Sequence, residues 1–411
     1  MKVRWLRWSL WLFGFGCLWL PVFDDPPLRT GAYVQDVTAH TAAVRIVTAA
    51  DRELQCEFDD GATRIAQEAA TGRRHEFTCT GLQAGHAYTF VIRDGQREVD
   101  RGSFHTAPDD DRAPVRFALL GDSGALPWWS WLQTSPAFYL PAHWQWLGPH
   151  PRIARMGSLV LDDHPEFFLH LGDICYPWGW QGHYATAFFA PFAPLLRSAA
   201  CYVTLGNHDV LDDNGRQALS NFRLPADGSG DGRMYSFGWG SVRVVVLDCN
   251  DAVTAAGPVM TYARAALQAG AEPWQIVVSH FPIRSASRQG DRADLIDNLL
   301  PLLRTAAVDL YVCGHDHTYQ RFGRDGDVPQ IVSGGGGKSL YEIYPHPEAE
   351  VVVAQYNHCL VTVQGREFEL RARGLDGALI DTLRQRLDAD KVARLRAFNP
   401  GRAARIEALL R

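Results

Sequence analysis

The 411-residue sequence predicts an α/β domain preceded by a small all-β sandwich. Three patterns carry that reading. Gly31 to Thr106 runs as short alternating strands with turn residues between them, and from Val115 onward apolar runs of strand length alternate with helical stretches. Between them Pro108-Asp109-Asp110-Asp111-Arg112-Ala113-Pro114 breaks the pattern with charge and proline, as a linker does. The length and the 46% apolar content are enough to fill more than one core.

Residues 1–23 open with Met1-Lys2-Val3-Arg4-Trp5-Leu6-Arg7 and continue without charge from Trp8 to Phe23, ahead of Asp24 and Asp25. Basic, then apolar, then acidic is the order of an export signal or short membrane anchor, and the stretch falls short of the ~20 apolar residues of a spanning helix. It has no Ala-x-Ala site, and Gly14-Phe15-Gly16-Cys17 matches a lipoprotein site poorly, so cleaved, lipidated and anchored forms stay open. The expected location is outside the cytoplasm: secreted, periplasmic or membrane-anchored through the N-terminus.

The sandwich, residues 28–107, draws its strands from Thr41 to Val47, Leu54 to Phe58, His75 to Thr80, Tyr88 to Arg93 and Gly102 to Thr106. The α/β domain, residues 115–384, draws strands from Val115 to Leu120, Phe167 to Leu171, Cys201 to Leu205, Gln275 to Val278 and Val308 to Cys313, and helices from Tyr184 to Arg197, Tyr262 to Ala269 and Arg292 to Thr305. After Gly337 further strands follow at Val351 to Val353, Leu360 to Val363, Phe368 to Arg373 and Ala378 to Leu383, expected to extend a second sheet against the first. Residues 385–411 form an arginine-rich tail, expected as two short helices that pack on the body with a solvated polar face.

The net charge of -6 and pI near 6.2 give no electrostatic reason to expect nucleic acid, which leaves a small substrate. Of eight cysteines, Cys56 and Cys79 form the one pair considered for a disulfide; Cys175, Cys249 and Cys313 lack zinc-site spacing and are expected as small buried apolar residues.

Each of the five strand runs of the α/β domain ends in a short polar motif: Gly121-Asp122-Ser123-Gly124, Gly172-Asp173-Ile174-Cys175-Tyr176, Gly206-Asn207-His208-Asp209, Val277-Val278-Ser279-His280 and Gly314-His315-Asp316-His317. Ligands collect at the carboxyl ends of strands in such sheets, so the five motifs describe one site of oxygen and nitrogen donors. Two adjacent hard cations need a shared anionic oxygen, which an aspartate at a strand end supplies.

In these five blocks, taken in order, the chain resembles the purple acid phosphatases, a branch of the calcineurin-like metallophosphoesterases. The resemblance covers Phe117 to about Ser339 and implies an αββα fold, two mixed sheets flanked by helices; the preceding sandwich is similar to the immunoglobulin/fibronectin type III-like domain of larger members, Leu82 to Tyr88 resembling its tyrosine signature. It also implies the ligand sets: Asp122, Asp173, Tyr176 and His317 around one metal, and Asp173, Asn207, His280 and His315 around the other, with Asp173 as the bridge. Gly124 stands where most calcineurin-like enzymes carry a histidine, and Tyr176 follows the second motif instead. A phenol ionises at neutral pH only beside a strong Lewis acid, so the implied centre is Fe(III) paired with Fe(II), Zn(II) or Mn(II).

The implied reaction is hydrolysis of a small phosphate monoester by metal-activated hydroxide, with His208 assisting as the phosphate-contacting acid/base histidine. In one respect the chain departs from the small animal enzymes. Gln289 stands nine residues beyond His280, where they carry a second histidine, and a glutamine there can contact phosphate without donating a proton. A second departure is the segment Ala125 to His150, rich in aromatic residues (Trp128, Trp129, Trp131, Phe138, Tyr139, Trp144, Trp146), expected either as a wall for an organic leaving group or as packing against the sandwich. Ser333-Gly334-Gly335-Gly336-Gly337-Lys338-Ser339 lacks the first glycine of a nucleotide loop and is expected as a turn approaching the metal site. Phosphodiester or phospholipid hydrolysis on the same centre is the alternative, and a non-catalytic cell-surface binding protein lies further off.

Overall fold

A computed structural model describes residues 29–68, 71–125, 150–211, 213–226, 230–323 and 327–411. The signal or anchor expected at residues 1–23, with Cys17, and the aromatic residues from Trp128 to Trp146 lie outside these.

Seven strands precede the linker: β1 (Tyr33–Gln35), β2 (Thr41–Arg52), β3 (Gln55–Asp59), β4 (Arg64–Glu68), β5 (Gly72–Thr80), β6 (Ala87–Asp94) and β7 (Arg97–His105). They form two antiparallel sheets, ordered β1-β2-β5 and β4-β3-β6-β7, whose alternate residues, among them Val44, Phe58, Phe77 and Phe90, close one core. Gln83 N–H donates to the Tyr88 hydroxyl at 3.0 Å, so the tyrosine holds the preceding loop. Cys56 and Cys79 are both free thiols, contrary to the disulfide considered for them. They lie on β3 and β5, in opposite sheets, fully buried, where they pack as small apolar residues.

The rest of the chain supplies β8 (Val115–Leu120), β9 (Phe167–His170), β10 (Ala200–Val203), β11 (Tyr235–Trp239), β12 (Val242–Val246), β13 (Trp274–Val278), β14 (Leu310–Cys313), β15 (Tyr319–Phe322), β16 (Gln330–Ser333), β17 (Ala349–Val353), β18 (Asn357–Gln364), β19 (Glu367–Gly374) and β20 (Leu379–Arg386). They build two mixed sheets, one of six strands ordered β10-β9-β8-β18-β19-β20 and one of seven ordered β11-β12-β13-β14-β16-β15-β17. Val115, Phe117 and Leu119 of β8 share a core with Val242, Val244 and Val246 of β12, so the sheets face each other. The residues between them point outward: Ala118 and Leu120 meet helix Pro151–Asp162, and Val245 meets helix Pro258–Ala269. Parallel strands covered on both faces need continuous apolar sequence, which is why these runs read so clearly.

The late strands correct one expectation. Only β17 joins the second sheet, whereas β18 pairs antiparallel with β8, and β19 and β20 extend the first sheet from there. The tail forms helices Ala389–Leu395 and Pro400–Leu410, capped by the Asp388 and Asn399 side chains, which accept from Lys391 N–H and Arg402 N–H. It packs on the body through Val392, Leu395, Ala403 and Ile406, and turns charged residues inward beside them. Arg402 is fully buried, donates to the Pro273, Ala306 and Ala307 carbonyls and pairs with Asp309, which Lys391 also contacts.

Candidate metal centre

Asp122 follows β8, Asp173 follows β9, Asn207 follows β10, His280 follows β13, and His315 and His317 follow β14. The parallel pairs β8–β9–β10 and β12–β13–β14 therefore bring all five motifs to the same ends of the two sheets. Asp122, Asp173 and His315 have φ of 59°, 52° and 67°, in the left-handed region that side chains avoid. Such backbone costs ~1–3 kcal/mol per residue and clusters at functional sites. Gly206 serves the same turn: a Cβ there would overlap Asp173 Oδ1.

The donors fall into two groups that meet at Asp173. In the first, the Tyr176 hydroxyl stands 2.7 Å from Asp173 Oδ2, 3.0 Å from Asp122 Oδ1 and 3.0 Å from His317 Nε2. In the second, Asn207 Oδ1 stands 3.1 Å from His280 Nε2 and 3.0 Å from His315 Nδ1, with His280 Nε2 3.5 Å from Asp173 Oδ1. Metal–ligand bonds of ~2.1 Å place adjacent donor atoms of a tetrahedral or octahedral shell ~3.0–3.4 Å apart, so both quartets have the spacing of a coordination shell. Asp122, Asp173 and His317 each offer an atom within 4.8 Å of the others.

The electrostatics ask for cations. Burial pushes the Asp122 carboxyl above its ordinary value, and burial together with the Asp122 and Asp173 charges pushes the Tyr176 phenol well above 10. Burial works against the Asp173 charge too, but His280, His208 and hydrogen bonds from Tyr176 and the His208 N–H hold its carboxyl low. His315 is driven down to about 3 by burial and the His280 charge, which keeps it a neutral nitrogen ligand. Only a bound Lewis acid at these oxygens would favour the phenolate.

A supporting layer fixes the ligands. His280 Nδ1–H donates to Leu171 O at 2.8 Å and His317 Nδ1–H to Ser339 O at 2.7 Å, each leaving Nε2 as the donor atom. Asp209 accepts from Ile174, Cys175 and Gly206 N–H at 2.9 to 3.2 Å, lacing the second motif to the third. Asp316, between His315 and His317, accepts from the Ser285 and Ser287 hydroxyls and from Gln320. Both aspartates stand inside the motifs, which was the available signal for their roles. Tyr341, stacked on the His317 ring at 4.0 Å, carried none.

His208 lies beside this shell. Its backbone N–H donates to Asp173 Oδ1 at 3.0 Å, its ring packs 4.5 Å from the Tyr176 ring, and Nδ1–H donates to Pro177 O at 2.6 Å. That bond fixes the tautomer and leaves Nε2 without a partner among the described residues. Gln289 sits on an exposed loop, its N–H bonded to Ser287 Oγ at 3.1 Å.

The sequence model of the calcineurin-like phosphoesterases matches residues 115–319, the span that holds every one of these ligands. That span of the chain is a calcineurin-like phosphoesterase domain. Among curated proteins the chain is 44% identical over 66 residues to purple acid phosphatase 7 of Arabidopsis thaliana, covering 16% of this chain and 20% of that one. It is 26% identical over 250 residues to human tartrate-resistant acid phosphatase type 5, covering 54% of this chain and 73% of the relative. The chain spans only 20% to 25% of the first plant relatives it matches. A purple acid phosphatase from yellow lupin (Lupinus luteus) seeds has the same fold at TM-score 0.74 and 18% identity, over 90% of this chain and 76% of that one.

Proposed function

We propose that the chain is a metal-dependent phosphatase that hydrolyses phosphate monoesters at a dinuclear centre. Fe(III) is assigned to Asp122, Asp173, Tyr176 and His317, and Fe(II), Zn(II) or Mn(II) to Asp173, Asn207, His280 and His315. One observation carries the reading: the two oxygens of Asp173 face different quartets, Oδ2 towards Tyr176 and Oδ1 towards His280. The phosphatase names of the Arabidopsis and human relatives support it.

Two cations held at these quartets would supply Lewis acidity towards the phosphoryl oxygens and a lowered pKa for the attacking water. The chain's own residues do the rest. Asn207, His280 and His315 offer an amide oxygen and two imidazole nitrogens on one side, and Asp122 and Tyr176 offer hard oxygens beside His317 on the other. His208, its ring held by Pro177 O, would contact the phosphoryl group and, when protonated, pass its Nε2 proton to the leaving oxygen. We further propose that the protein works outside the cytoplasm, from the Met1–Phe23 pattern; among the described residues no helix is long and apolar enough to cross a membrane.

Metal analysis with a visible spectrum on wild type and Tyr176→Phe tests the centre. Iron with one divalent metal is expected, with a visible band that Tyr176→Phe abolishes; a band that persists in the mutant contradicts the phenolate assignment. Paired mono- and diester substrates test the reaction. Faster turnover of the diester would replace this reading with phosphodiester hydrolysis.

A further inference from the structure

The glycine-rich turn after β16 ends on a lysine whose position is set by the metal ligands themselves. Gly121 N–H donates to Ser333 O at 2.8 Å, Gly336 N–H to Gly121 O at 3.0 Å and Lys338 N–H to Asp122 O at 3.0 Å, while Ser339 O accepts from His317 Nδ1 at 2.7 Å. The chain between these bonds runs too close to its neighbours for side chains: a Cβ on Gly334 would overlap Asp316 O, and one on Gly336 would overlap Gly121 O. Lys338 is thus the first side chain the turn can project, and it is clamped between Asp122 and His317.

Its ammonium stands 4.5 Å from the centre of the Tyr176 ring, and the His208 ring lies at the same 4.5 Å. Lys338 is half-buried, and among the described residues no carboxylate or carbonyl bonds its Nζ. Among the described residues most of the cations are paired, including the deeply buried Lys391 and Arg402. A partly desolvated ammonium without an anion, beside Tyr176 and His208, has the chemistry of an anion slot.

The geometry points to Lys338 as a substrate-binding residue: its ammonium and the His208 ring each stand 4.5 Å from the Tyr176 ring, and the ammonium, with protonated His208 donating from Nε2, binds the non-bridging oxygens of a dianionic phosphoryl group. This rests on the proposed reaction and narrows it, because a monoester dianion gains more from a fixed ammonium than a diester monoanion does. The slot is a point charge, so it selects the phosphoryl group and leaves the alcohol unspecified.

Metal-replete wild type, Lys338→Met and Lys338→Arg are compared for steady-state kinetics on a monoester and a diester, and for binding of inorganic phosphate by calorimetry. Loss of one charge-assisted hydrogen bond predicts that Lys338→Met raises the monoester KM and the phosphate Kd roughly ten- to hundredfold, with a smaller change in diester KM and in kcat. Lys338→Arg keeps the charge and is expected to recover most of the phosphate affinity, which a merely structural lysine would not produce. Metal content equal to wild type in both variants shows that the clamp survives. Phosphate Kd and monoester KM within about twofold of wild type in Lys338→Met would overturn the assignment. Should wild type turn over neither ester yet bind phosphate through Lys338, the slot stands and the hydrolytic reading falls.

Discussion

At the amino end of β14 Asp309 is buried between Lys391 and Arg402 and accepts from Gln275 N–H at 2.7 Å, whereas at the carboxyl ends of β8 and β9 Asp122 and Asp173 are as deeply buried with no lysine or arginine ion pair among the described residues. At the amino end the fold carries its own counterions, delivered by the tail helices. At the carboxyl end it gathers two carboxylates, a phenol and three imidazoles, and leaves the positive charge to be supplied from outside. A buried carboxylate with built-in cations belongs to structure, and one without them belongs to a site that exchanges its cation.

Removing one carboxylate or one cation at the two ends should therefore have opposite signatures. Asp173→Ala takes the bridge from both quartets, and kcat is expected to fall by at least ~10³-fold with loss of bound metal. The metal-free chain should lose less stability by this change than by loss of Arg402, since burial opposes the Asp173 charge and only His280, His208 and two hydrogen bonds offset it. Denaturation of metal-free wild type and variant checks this. If Asp173→Ala costs the metal-free protein several kcal/mol, the two ends are not distinct.

Arg402→Ala strands Asp309 with Lys391 alone and frees the Ala306 and Ala307 carbonyls. Breaking a buried pair in this way costs ~3–5 kcal/mol, while kcat per folded molecule should stay within about twofold because the metal ligands sit at the opposite strand ends. Denaturant unfolding with active-site titration separates the two quantities. A kcat that falls in step with stability would join the two ends into one unit.

The carboxyl end was largely legible in the sequence and the amino end was not, for a physical reason. Asp122, Asp173, Asn207, His280, His315 and His317 each follow an apolar strand within a few residues, so local text places them, and β8 matches its expected range because both its faces are covered. Arg402 meets Asp309 across 93 residues, and nothing local tells a buried arginine from a solvated one. The same holds for β15, whose Gln320 and Arg321 read as surface until Ala286 N–H, Asp381 and Glu350 are seen to satisfy them. Strands β11 and β12 were missed as a hairpin turning at Gly240, where φ is 57°. The neighbour of β18 is likewise a tertiary fact, since its apolar alternation fits either sheet equally well.

Glu166, just before β9, is a half-buried carboxyl and gives the smallest of these effects. It has neither a built-in cation pair nor a metal site: Trp239 Nε1–H donates to its Oε2 at 2.6 Å, and burial raises its pKa to about 7, against that hydrogen bond and the Arg116 charge. The folded protein therefore holds a proton on Glu166 that the unfolded chain releases near pH ~4.5. Its contribution is fully present below that pH and is lost as pH rises through about 7, so stability should fall across this window. A shift of this size corresponds to ~3 kcal/mol at most by the alkaline side. Glu166→Gln keeps the acceptor for Trp239 and removes the titration, so between pH 5 and 8 its unfolding free energy should fall less than that of wild type, the difference cancelling other groups such as Asp209, whose pKa burial also raises to about 7. If wild type and variant run parallel across the window, Glu166 is ionised in the fold, and amino-end carboxylates need no proton or cation of their own.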